Sequence, residues 1–152
     1  MAAFDVDLGF IEGSGTHPDL MVQRWRDDRL VIVAAPDHPF VGKRVSLRRL
    51  ADATWIVRER GSGTREATDR WLIDSLGRML VELELGSNEA VKRAVASGLG
   101  LGCLSSFAVA GALARGELVE LVTPHLLVQQ KTSQYLIGKT HLGFYLPLHL
   151  HL

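Results

Sequence analysis

The stretch "RGSGTRE" alternates glycine with hydroxyl, as Gly61, Ser62, Gly63 and Thr64, and brackets them with Arg60 and Arg65. A glycine-flanked turn leading from a strand into a helix presents backbone N–H groups that find no acceptor within the helix. Neighbouring hydroxyls add donors, and two guanidinium groups favour a carboxylate, a sulfate or a similar anion. The same residues also suit a plain cap at Gly63 or Thr64 with solvated arginines. A second candidate is "GSNEA", where Ser87, Asn88 and Glu89 open another helix behind a strand. Helix starts that follow strand ends tend to line the crevice of a two-lobed α/β fold, although a plain cap again fits.

Other chemistry finds less support. Ser62 stands in G-S-G-T rather than in a G-x-S-x-G elbow, and no histidine has a context that marks it as a catalytic partner. Glu82 and Glu84 alternate along what reads as the solvent face of a strand, so the chain is not expected to be an enzyme. His149 and His151 in the terminal "HLHL" lack a third ligand, and no metal is expected. Cys103, the single cysteine, lies in the apolar run "GLGLGCLSS" and reads as a small buried hydrophobe. That run resembles a dinucleotide-binding glycine motif, but its glycines end one helix and enter a strand rather than opening a helix. No cofactor is expected.

Alternating elements must position the candidate loops. "VDLGFI" (6–11), "LMVQRW" (20–25) and "RLVIVAAP" (29–36) read as strands, and Ser46 as the N-cap of a short helix before the strand "TWIVRE" (54–59). After Gly61, Ala67, Trp71, Leu72 and Leu76 recur at helical spacing until Gly77. "MLVELELG" (79–86) reads as a half-exposed strand, and Ser87 or Asn88 caps a helix that buries Ala90, Val91, Ala94 and Val95. A buried strand "LGCLS", a helix ending at Gly116, the strand "ELVELV" and a later strand "SQYLIG" complete the pattern. The strand, helix, strand rhythm predicts an α/β fold with largely parallel pairing.

Composition narrows the partners. Seventeen Lys and Arg balance seventeen Asp and Glu, which argues against phosphate-backbone binding as the business of this segment. One cysteine makes no internal disulfide, and the acidic start "MAAFDVDLGFIEG" lacks the form of a signal peptide, so a reducing cytoplasmic setting is expected. No apolar stretch approaches the roughly 20 residues that span a bilayer, and no membrane partner is expected.

Four stretches together, "VDLGFIEG", "DRLVIVAAPDHPF", "WIVRERGSGTRE" and "ELGSNEAVKRAVASGLGLGCLS", resemble the effector-binding domain of LysR-type transcriptional regulators from about residue 4 to about residue 122. The resemblance implies a periplasmic-binding-protein-like fold with two α/β lobes, joined by crossing strands and holding a small effector in the cleft. It implies control of transcription in the bacterial cytoplasm. It places Ser62 and Thr64 of "GSGT" in the effector loop of the second lobe. It also puts Glu12 and Gly13 at a first crossover and Ser105 near a return crossover at "CLSS". The effector-binding set is thus Glu12, Gly61, Ser62, Gly63, Thr64, Arg65, Ser87, Asn88 and Ser105. Residues 15–102 are expected as the second lobe, and 1–14 with 103–152 as an incomplete first lobe. The family's winged helix-turn-helix is expected to be absent from this chain, leaving no direct DNA contact. The partners expected are a small anionic effector and a homo- or hetero-oligomer formed through the lobes. Two alternatives remain open: an interaction fragment that pairs with full-length relatives, and a stand-alone solute-binding protein.

Overall fold

The computed structural model describes residues 8–12, 20–123 and 131–139. In chain order these form β1 (Leu8–Glu12), β2 (Leu20–Ala34), α1 (Leu47–Ala51), β3 (Thr54–Arg58), α2 (Gly63–Leu76) and β4 (Leu80–Leu85). They continue with α3 (Asn88–Ala96), β5 (Leu101–Ser105), α4 (Ser106–Ala114), β6 (Val119–Glu120) and β7 (Lys131–Lys139). The chain divides into two compact units, 1–26 with 133–152, and 27–132. In the first unit β1 and β7 pair antiparallel, from Leu8 opposite Gly138 to Glu12 opposite Gln134. The first GSGT, at 13–16, and the terminal His149 and His151 lie outside the described residues.

The second unit carries the candidate loops. Its sheet runs β2-β5-β3-β4, with β3 parallel to both β4 and β5 and β2 antiparallel to β5 and β6. The expected parallel pairing therefore holds for β4-β3-β5, while β2 enters the unit running against them. The two strands expected at 20–25 and 29–36 are one 15-residue strand. The intervening "RDD" reads as a break in the sequence, but the backbone stays extended through it, and Asp28 is satisfied by Ser105 and Ser106, as described below.

Side chains alternate between the two faces of this sheet. Leu30, Ile32, Trp55 and Val57 join Leu50, Trp71 and Leu72 of α1 and α2 on one face. Val31, Val33, Ile56 and Leu104 join Val91, Val95, Val109 and Ala112 of α3 and α4 on the other. Burial on both faces explains the near-continuous apolar runs of β2, β3 and β5, each large buried side chain contributing ~1.5–3 kcal/mol. Trp55 is fully buried, and its indole N–H is satisfied at the Leu50 carbonyl, 3.0 Å away.

Helix boundaries follow local chemistry. The hydroxyls of Ser46 and Ser62 accept from the N–H of Arg49 and Arg65, and Gly77 closes α2 in a left-handed conformation. Strand β4 differs from expectation: among the described residues it is the last strand of its sheet, and Leu80 through Glu84 are all exposed rather than alternating. Strand β5 is buried at all five positions and lies between β2 and β3, inside the unit 27–132; the lobe boundary expected between 102 and 103 falls within this strand. The glycines that enter this strand serve packing. A Cβ at Gly102 would stand 2.9 Å from a Val95 methyl, so glycine lets α3 settle onto β5.

Candidate functional site

The parallel strands β4, β3 and β5 end on one edge of the sheet, and each runs into a helix capped by serine. Ser87 accepts from Ala90 N–H at 3.1 Å, Ser62 from Arg65 N–H at 3.4 Å and Ser105 from Ala108 N–H at 3.4 Å. Three helix N-termini, each with partial positive charge, therefore share this edge. The same rule that places ligands outside the carboxyl ends of parallel strands selects it as the candidate site.

The loop after β3 is built to hold the start of α2. Glu59 N–H donates to the Leu85 carbonyl at 3.1 Å and Ser62 N–H to the Glu59 carbonyl at 3.2 Å. Between them Gly61 takes φ 91°, a backbone region that side chains disfavour. Ser62, Thr64 and Arg65 are buried, and Gly63 is partly exposed. The N-cap is thus Ser62, one residue earlier than the plain-cap alternative.

Arg65 faces backward rather than toward the loop's opening. Its Nε donates to both oxygens of Asp69 at 2.8 Å, and its Nη1 to the Arg58 carbonyl and to Glu84 Oε2, both at 2.9 Å. Glu84 Oε1 also accepts from Arg60 N–H at 3.3 Å, so one carboxylate ties the loop to β4. The hydrogen bond from Arg65, helped by the Arg60 N–H, holds the Glu84 carboxyl below the usual carboxylate range. Arg65, expected beside an incoming anion, has its charge matched by two carboxylates of the chain, Asp69 and Glu84. Arg60 is exposed, and its side chain makes no hydrogen bond or ion pair among the described residues.

Arg58, which is not among the residues expected at the site, joins two of the helix starts. Its Nη1 donates to Asn88 Oδ1 at 2.7 Å, while its Nε and Nη2 donate to the two oxygens of Glu59 at 2.7 and 2.8 Å. It therefore brings Asn88 of α3 against the same strand end that supports Gly61–Arg65. The consecutive pair "RE" before the glycines was the available signal, since a guanidinium at a strand end can reach a neighbouring loop.

Ser105 has a different environment. Its hydroxyl donates to Asp28 Oδ2, while Asp28 Oδ1 accepts from Ser106 Oγ at 2.9 Å and from Arg29 N–H at 2.7 Å. Asp28 and Ser105 are both buried, so the chain's own carboxylate occupies the start of α4. Glu12 ends β1 in the other unit, and its side chain is not among those described. Cys103 is buried beneath this edge, and burial pushes its thiol up to about 12 despite the neighbouring Thr68 hydroxyl. No group of three metal-ligating side chains occurs among the described residues.

Comparison with known proteins agrees with this architecture. The LysR substrate binding domain model matches residues 1–137. The HTH-type transcriptional regulator YeiE of Escherichia coli K12 is 45% identical over 121 residues, which cover 80% of this chain and 41% of YeiE. The chain therefore spans about two-fifths of that relative's length. Among solved structures, the regulatory domain of CcmR from Synechocystis PCC6803, in complex with 2-PG, is 35% identical with a TM-score of 0.76. That match covers 90% of this chain and 65% of CcmR's. The effector-binding domain of QuiR, in complex with shikimate, shares the fold at 19% identity and a TM-score of 0.73, covering 89% of this chain and 63% of its own. With its three serine-capped strand ends, its periplasmic-binding-protein-like fold and these matches, the chain belongs to the LysR substrate-binding-domain family.

Proposed function

We propose that this chain is the effector-sensing module of a LysR-type bacterial transcriptional regulator, working in the cytoplasm, and that its effector is a small anionic metabolite. The unit 27–132 serves as the second effector-binding lobe, and 1–26 with 133–152 as part of the first. The observation that carries the reading is the pairing of the α2 and α3 starts about Arg58, which gathers Gly61, Ser62, Gly63, Thr64, Ser87 and Asn88 on one sheet edge. The complex of CcmR with 2-PG supports an anionic ligand and makes 2-phosphoglycolate the first compound to try.

Thermal unfolding of the purified chain with and without 2-phosphoglycolate, shikimate, sulfur oxyanions, carboxylates and amino acids tests this. A ligand at about 100 times its dissociation constant adds ~2.7 kcal/mol, enough to raise the transition visibly. One compound should raise it in the wild type and much less in Thr64→Ala. A panel in which no compound shifts the transition, or a shift that Thr64→Ala leaves intact, refutes the assignment.

A second reading has its own observation. Among the described residues strand β4 ends its sheet, with Leu80, Val81 and Leu83 exposed, a surface suited to pairing with another chain. Under that reading the chain associates with itself or with full-length relatives through lobe edges. Co-expression with a tagged full-length relative should then yield a mixed complex that Leu83→Lys weakens, and recovery of separate species removes the reading.

A further inference from the structure

Arg58 is the last residue of β3, and its guanidinium lies where the loops opening α2 and α3 meet. Two helix starts and a guanidinium together favour a negative group with oxygens in one plane. The chain supplies such a group. Glu59 accepts from Nε and Nη2 of Arg58 with two oxygens, at 2.7 and 2.8 Å, in the fork geometry that a ligand carboxylate or phosphate would use.

This pair differs from the other ion pairs on the edge. Glu84 is held by Arg65 and by the Arg60 N–H, and Arg65 is itself only 9% exposed at its side chain and has Asp69 as a second carboxylate. Glu89 pairs with Lys92, on the α3 surface. Glu59 is 41% exposed at its side chain, and its carboxylate is held by Arg58, which is 17% exposed, and by its own backbone N–H. A carboxylate so open to water contributes little to stability and can leave at small cost, whereas Arg58 stays anchored through Asn88.

We propose that Glu59 is an internal placeholder for the effector's anionic group, and that Arg58 exchanges the Glu59 carboxylate for that group when the effector binds. The inference rests on the reading that the effector docks at this edge. The exchange breaks two hydrogen bonds to Glu59 and forms two to the ligand, with no proton transferred. An adjacent carboxylate competes with any ligand, so the apparent affinity falls by the fraction of chains in which Arg58 is already occupied.

The test is calorimetric titration of the whole chain with inorganic phosphate, acetate and 2-phosphoglycolate, in the wild type, Glu59→Gln, Arg58→Met and Thr64→Ala. Glu117→Gln serves as the control: it removes one negative charge from the exposed Arg115–Glu117 pair, away from this edge. Glu59→Gln should bind at least one of the three anions roughly fivefold to tenfold more tightly than the wild type, Arg58→Met should lose that binding, and Glu117→Gln should match the wild type. A cooperative thermal transition in each variant establishes that it is folded. Equal or weaker binding by Glu59→Gln overturns the placeholder role, as does an equal gain in Glu117→Gln. If the wild type binds with a Thr64-dependent affinity that ignores Glu59, the placeholder role alone falls. If no variant binds any of the three, it falls together with the anionic-effector reading.

Discussion

The starts of α2 and α4 stand on the same sheet edge, each capped by a serine, yet they treat negative charge in opposite ways. At α4 the buried carboxylate of Asp28 accepts from Ser105, Ser106 and the Arg29 N–H, so the helix start is completed from within. At α2 the buried group behind the loop is a cation, Arg65, whose own partners Asp69 and Glu84 lie on α2 and β4. One helix start is closed by an anion of the chain; the other is propped from behind. A serine cap therefore does not by itself tell whether a helix start is filled from within. What differs between the two starts is whether a distant strand delivers a buried carboxylate.

The strongest way to break this comparison is Asp28→Ala. It strips three hydrogen-bond donors of one acceptor group in a buried place, and we expect it to lower the unfolding free energy by about 3 kcal/mol in urea denaturation. Asp28→Asn keeps part of the acceptor geometry and should cost about half as much. Neither change should alter the affinity of an anion that binds at α2. Added formate should restore part of the loss in Asp28→Ala if the α4 start is an anion site that the chain fills itself. A loss below 1 kcal/mol would mean that Asp28 is dispensable and the two helix starts are alike.

Next in size are the two serines compared directly. Ser105→Ala removes both a cap and a hydroxyl donor to Asp28, and should cost about 2 kcal/mol of stability without changing anion affinity. Ser62→Ala removes a cap at 3.4 Å and should cost about 1 kcal/mol, with a measurable loss of anion affinity in the titration. Matching effects from the two substitutions, on stability and on affinity, would erase the distinction between a filled start and an open one.

These two starts also mark what a sequence discloses. Caps were legible at Ser46 and Ser87 because a hydroxyl and the N–H three residues later are local, and the helix after Gly61 was legible from the spacing of Trp71 and Leu72. The family resemblance supplied the fold through four stretches that no single periodicity would have connected. Asp28 was not legible, because its partners lie 77 and 78 positions away and its own neighbours spell a charged turn. The partners of Arg65 were hidden in the same way, since Glu84, which holds its guanidinium, lies 19 positions off. The antiparallel entry of β2 and the exposure of β4 from Leu80 to Glu84 depend on strand order, which local patterns do not encode.

The smallest effect sharpens the α2 side of the comparison through pH. Glu84 is held below the ordinary carboxylate range, first by its hydrogen bond from Arg65 and then by the Arg60 N–H. The folded chain therefore binds this proton less readily than the unfolded chain does. Its contribution to stability is fully present above the unfolded carboxylate's pKa, and is lost as the pH falls through that value toward the lower folded one. Because the Glu84 side chain is 41% exposed, solvent screens the pair and the effect should be small. In Glu84→Gln the unfolding temperature should fall less steeply on acidification than in the wild type, while the two curves run parallel at neutral pH and above. Identical slopes through the acid range would show that Glu84 does not hold the loop through its charge, leaving Asp69 as the carboxylate that fixes Arg65 behind the start of α2.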